Sequence, residues 1–127
     1  MTSITFIEAV RRGDIKEIRT LLSAGADVNA RSPDGWSVLM YAAMDCKTDL
    51  VAMLIDEGAD PNAQAIDGST ALIKAALWGH TEVVEVLLRR GADVTIEDAE
   101  GWTASKIAIE KGHTNIVELL LAIKSHE

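Results

Sequence analysis

Residues 67–98, DGSTALIKAALWGHTEVVEVLLRRGADVTIED, read as a turn, a short helix, a tight loop, a longer helix and a second turn. Asp67-Gly68 is a turn dipeptide. Thr70 stands where a side chain caps a helix running to about Trp78. Gly79 ends that helix and offers the left-handed conformation that a sharp reversal needs. Thr81 is expected to cap the second helix, with Glu82 near its positive end and Arg89 and Arg90 near its negative end. Gly91 stops it. Leu72, Ala75 and Ala76 line one helix, and Val83, Val84, Leu87 and Leu88 line the other, each set at helical spacing.

The unit recurs. Gly35, Gly68 and Gly101 are 33 residues apart, as are Gly25, Gly58 and Gly91, each followed by Ala-Asp. Ala9, Ala42, Ala75 and Ala108 keep the same step, and so do Leu21, Leu54, Leu87 and Leu120. A turn plus two helices at this period is the signature of the ankyrin repeat. On Asp34-Gly35, Asp67-Gly68, Gly79-His80, Gly112-His113 and the three Gly-Ala-Asp triplets, the chain resembles an ankyrin-repeat protein over nearly its whole length. The resemblance implies a helix-dominated repeat solenoid. Four stacked units are expected, at about 1–33, 34–66, 67–99 and 100–127, with hairpin-like turns near 25–36, 58–69 and 91–102.

The chain's 127 residues suit one domain, and its hydrophobic fraction of 48% is ample for a core. Only 4% of residues are aromatic, so that core must be aliphatic and rich in alanine. The formal net charge is −8 with no Lys/Arg cluster, which disfavours nucleic acid and anionic membranes as partners. A lone cysteine, Cys46, excludes an internal disulfide and suits a reducing compartment, so a cytoplasmic location is expected. No apolar run reaches the length of a membrane span, and the opening MTSITFIEAVRRGD does not read as a signal peptide.

Each unit carries its own variations. In the first, residues 5–8 read as a capping box with Ser3 as a rival cap, and Asp14 caps a helix over 15–23. Glu17 replaces the apolar residue found at Leu50, Val83 and Ile116, as a capping repeat facing water would require. In the second, Ser37 is the helix cap, and Val38-Leu39-Met40 stands where the family prefers Pro-Leu-His. Cys46 replaces the loop glycine of positions 13, 79 and 112, so this loop is either strained or differently built. The last unit has Ser105 and Lys106 in place of apolar residues and lacks Gly-Ala-Asp after its second helix. It reads as a C-terminal cap, and the expectation is an array with both ends closed.

Residues able to do chemistry are better explained by the framework. His80 and His113 occupy one position in adjacent units, about 10 Å apart if layers stack, too far to share a metal. Asp27, Asp60 and Asp93 recur with the repeat as turn residues. No phosphate-binding glycine loop and no nucleophile elbow is present. Neither catalysis nor a cofactor is expected.

The aromatics point to binding. In ankyrin proteins the hairpin tips and the ends of the first helices form a concave binding surface. Carried over by position, that surface includes Arg11, Arg12, Trp36, Met44, Asp45, Ile66 and Ser69. It continues through Leu77, Trp78, Trp102, Glu110 and Lys111, and Tyr41 lies on the same first helix. All three tryptophans fall on it, with Trp78 at the centre, and tryptophan is a favoured interface anchor. The reading is a monomeric, non-catalytic protein-interaction module, and the nearby Asp34, Asp45, Asp67 and Glu100 favour a partner with a basic rim. Two alternatives are an engineered ankyrin binder and a self-associating structural protein. Against the first stand the differing framework residues Met40, Ile73 and Lys106, and Cys46.

Overall fold

A side-chain oxygen opens each of the first helices of the last three units. Ser37 Oγ, Thr70 Oγ1 and Thr103 Oγ1 accept from the amides of Met40, Ile73 and Lys106. These caps satisfy amides that the helices themselves leave open. In the computed structural model, which describes residues 3–125, they start α3 (Val38–Met44), α5 (Ala71–Trp78) and α7 (Ala104–Lys111). With α1 (Ser3–Arg12) these make one row of helices. The second helices are α2 (Ile15–Ser23), α4 (Thr48–Asp56), α6 (Thr81–Arg89) and α8 (Thr114–Ser125). Each first helix packs on its own second helix, and α1, α3, α5 and α7 pack in succession. In the second row α4 packs on α6 and α6 on α8.

The repeated columns are the core. Ala9, Ala42, Ala75 and Ala108 are buried, and their small side chains let first helices approach closely. Leu54, Leu87 and Leu120 fill the space between layers, and Leu21, at the N-terminal end, is only partly covered. Between layers the chain runs through hairpins of one design. The amides of Ser32, Ala65 and Asp98 donate to the carbonyls of Trp36, Ser69 and Trp102, each at 2.9 Å. Successive tips are tied as well: Ile66 N–H donates to Asp34 and Ala99 N–H to Asp67.

Two caps differ from expectation. α1 already begins at Ser3, so Thr5 lies inside the helix and not at its end. Thr81 is the first residue of α6, with His80 at the cap position and no side-chain cap bond. The reason is that His80 is engaged elsewhere. Its Nε2–H donates to the Met44 carbonyl of the preceding layer at 2.8 Å, and His113 does the same to Leu77 at 3.2 Å. Lys47, in the same column, donates Nζ–H to the Arg11 carbonyl at 2.6 Å. Only Asp14 caps its own helix, accepting from the Glu17 amide. A short carboxylate serves its own helix, while a long or ring side chain reaches back a layer.

Cys46 settles an open alternative. Its φ is +58°, against +72° to +74° at Gly13, Gly79 and Gly112. Lys47 N–H still donates to Ala42 O at 3.0 Å, as His80 N–H does to Ala75 O. The loop therefore has the same geometry as its glycine counterparts and carries the strain. Cys46→Gly is expected to raise stability by about 1 kcal/mol in chemical denaturation. A decrease would show that the thiol packs usefully.

A second pair of positions separates backbone strain from contact between layers. Gly68 and Gly101 both have φ +83°. A Cβ on Gly68 would lie 2.7 Å from the Ala99 amide nitrogen, whereas one on Gly101 would meet only the Glu97 carboxylate at 4.0 Å. Both alanine substitutions carry left-handed strain of about 1–2 kcal/mol. Gly68→Ala is expected to cost measurably more than Gly101→Ala in urea unfolding, and equal costs would show that neighbouring hairpins separate freely.

Candidate partner-binding groove

Asp67 turns the second hairpin by bonding forward. Its Oδ1 accepts from the Ser69 hydroxyl at 2.6 Å and the Ser69 amide at 3.0 Å. Asp98 does comparable work one hairpin later, where Oδ1 accepts from the amides of Glu100 and Trp102 at 2.9 Å. These two turns and the faces of α5 and α7 bound a groove of about 390 Å³. Ile73, Leu77, Trp102 and Ile107 give it apolar walls, and Asp67, Asp98, Glu110, Lys74 and Lys111 give it charge.

Lys74 is the unusual member. It is only 6% exposed and lies on an otherwise apolar helix face. Its Nζ sits 3.5 Å from the centroid of the Trp36 ring. Trp36 in turn lies against Tyr41, with ring centroids 5.1 Å apart, and the Arg11 guanidinium lies 4.9 Å from the Tyr41 ring. A ladder of two rings with a cation at each end thus runs from the first layer to the third. Burial pushes the Lys74 amine below the ordinary lysine range, and the negative charge of Asp67 partly opposes this. The side-chain bond from Ser69, then its amide, holds the Asp67 carboxyl below the usual range.

The residues expected from sequence divide into three sets. Ser69, Leu77, Trp102, Glu110 and Lys111 line the groove. Ser69 is 5% exposed and its hydroxyl is committed to Asp67, so it shapes the turn and offers no free hydroxyl. Arg11, Tyr41 and Trp36 form the ladder that leads to it. Arg12, Met44, Asp45, Ile66 and Trp78 do not line it. Arg12 is paired with Glu17 at 2.6 Å, and the Met44 carbonyl is taken by His80. Ile66 and Trp78 are 78% and 59% exposed, and Asp45 is exposed at the end of α3. The centre of the groove is therefore Leu77 and Trp102, with Trp78 outside it. Asp67, Ile73, Lys74, Asp98 and Ile107 were missing from the expected set. The signal for Lys74 was a lone charge within ALIKAALW, in register with Tyr41 and Ile107.

The family model for ankyrin repeats matches residues 6–98 and again 59–127. Mitochondrial disaggregase from Bos taurus is 45% identical over 49 residues, which are 39% of this chain and 7% of that protein. The Homo sapiens protein of the same name is 46% identical over 49 residues with the same coverage. The similarity thus spans a small part of these relatives.

The turn at Asp67 makes stability depend on pH. A carboxyl whose folded pKa is lowered stabilises above its unfolded pKa of about 3.9 and loses that contribution as pH falls through the folded value. Asp67→Asn is expected to be less stable than wild type by about 1 kcal/mol at pH 7. The gap should narrow below about pH 4 in thermal melts. A gap unchanged down to pH 2 would show that the charge is not what holds the turn.

Proposed function

This chain belongs to the ankyrin-repeat family, whose repeats generally mediate protein–protein interaction, and we propose that it is a non-catalytic module that docks a partner protein on the face built by its first helices and hairpin tips. The observation that carries this reading is the groove between α5 and α7, where an apolar floor at Leu77, Trp102 and Ile107 is rimmed by charge. Protein interfaces share that plan of an apolar centre and a polar rim. Trp102 supplies a half-buried anchor, and Trp78, exposed beyond the groove, extends the contact along α5. Arg11, Tyr41 and Trp36 continue the same face toward the first layer.

The net charge of −8 selects for a partner with a basic rim, and this term acts on association rate more than on final affinity. The lone Cys46 suits a module that works in the reducing cytoplasm, as a monomer until its partner docks.

The test compares capture of a partner by wild-type protein, Leu77→Asp, Trp78→Ala and Glu85→Lys, the last lying on the second-helix row. Leu77→Asp and Trp78→Ala are expected to lose at least about tenfold in affinity, or 1.4 kcal/mol, while keeping the wild-type circular dichroism spectrum. Glu85→Lys should bind as wild type does. Equal binding by all four proteins would remove this face as the interface.

A further inference from the structure

Four polar or charged side chains are buried among the described residues: Ser37, Ser69, Thr70 and Lys74. Ser37 and Thr70 cap helices, and Ser69 is bonded to Asp67. Lys74 alone of these makes no hydrogen bond. The ion pairs among the described residues are Arg12–Glu17 and Arg90–Asp56, so Lys74 is not in one either. The Trp36 ring covers one side of its ammonium, and the side chain lines the groove. An ammonium carries three donors, and a ring face satisfies none of them as an oxygen would. No buried side-chain nitrogen or oxygen among the described residues lacks a partner, so the ammonium tip is open to the groove, and an occupant that displaces its solvent gains by bringing an acceptor to this spot.

The charge of the groove decides which acceptor fits. Asp67, Asp98 and Glu110 stand against Lys74 and Lys111, three negative charges against two positive, on a chain of net charge −8. A further carboxylate, brought by the occupant, would meet repulsion. A neutral carbonyl oxygen would not. Asp67 and Asp98 both make their turn bonds through Oδ1, which leaves Oδ2 as an acceptor for an incoming N–H. An extended peptide presents carbonyls and N–H groups alternately, and its side chains alternate between faces. One apolar side chain of such a segment would rest on Leu77, Trp102 and Ile107.

We infer that Lys74 is a specificity-determining donor: it takes a backbone carbonyl from an extended, uncharged segment of the partner that lies along the groove between α5 and α7. This rests on the groove being the partner-binding surface.

The probe is a random peptide library displayed on phage and selected on the immobilised wild-type protein. Winning peptides are then titrated against Lys74→Met, Lys74→Gln and Leu77→Asp, each first checked for a wild-type thermal midpoint. Lys74→Met keeps the apolar stem and removes the donors, while Lys74→Gln keeps one donor group should the methionine variant not fold. The expected outcome is a consensus of uncharged residues, with at least tenfold weaker binding to Lys74→Met and to Leu77→Asp. A consensus carrying Asp or Glu, equal affinity for wild type and Lys74→Met, or no enrichment overturns the inference. Peptides that lose binding to Leu77→Asp but not to Lys74→Met leave the groove as the interface and remove the role of Lys74. Peptides indifferent to both remove the groove itself.

Discussion

At the end of three first helices a carbonyl accepts a hydrogen bond from the residue 36 positions further on: Arg11 from Lys47, Met44 from His80 and Leu77 from His113. Burial of leucine, valine and alanine between layers supplies most of the driving force, but it is not directional. A stack held by burial alone could slide or twist. The bonds from one layer to the next define which atoms meet, and so fix the register. A second set runs through the turns after the second helices. There Asn29 and Asn62 accept, through Oδ1, from the amides of Asp60 and Asp93. A third joins the hairpins, where Arg31 and Gln64 donate to the Gln64 and Glu97 carbonyls. Each layer completes the polar groups of its neighbour, so no layer is a finished structure alone.

That dependence explains what could be read in advance. The repeat, the four helix pairs and the caps at Asp14, Ser37 and Thr70 are local or periodic, and a single chain displays them openly. The role of His80 is neither. Thr81 is a good cap by its own chemistry, and only the distant Met44 carbonyl shows why the histidine takes the cap position without capping. Lys47 escaped notice for the same reason, since it shares no chemistry with the histidines of its column except a donor at the end of a side chain.

The groove follows the same pattern. The resemblance pointed to the first helices and the tips for candidate residues, and Leu77, Trp102, Glu110 and Lys111 line one groove there. What position in the repeat could not show is direction. Trp78 and Leu77 are adjacent on one helix, yet only Leu77 lines the groove. Lys74 was hidden by a different circumstance. A lysine is expected in water, and its burial depends on Trp36, 38 positions away and in another layer. The setting of Lys74 is thus fixed by a contact that no local pattern connects.

The bonds between layers lie at three separated places: the loop within a helix pair, the turn after it, and the hairpin tip. This spacing has a mechanical meaning. A pull along the stack axis loads all three together, and none can break without the others bearing the force. A pull applied at one edge, as by a partner gripping the hairpin tips, loads them in sequence. The fold is therefore stiff against stretching and compliant against peeling, like pages glued along three lines.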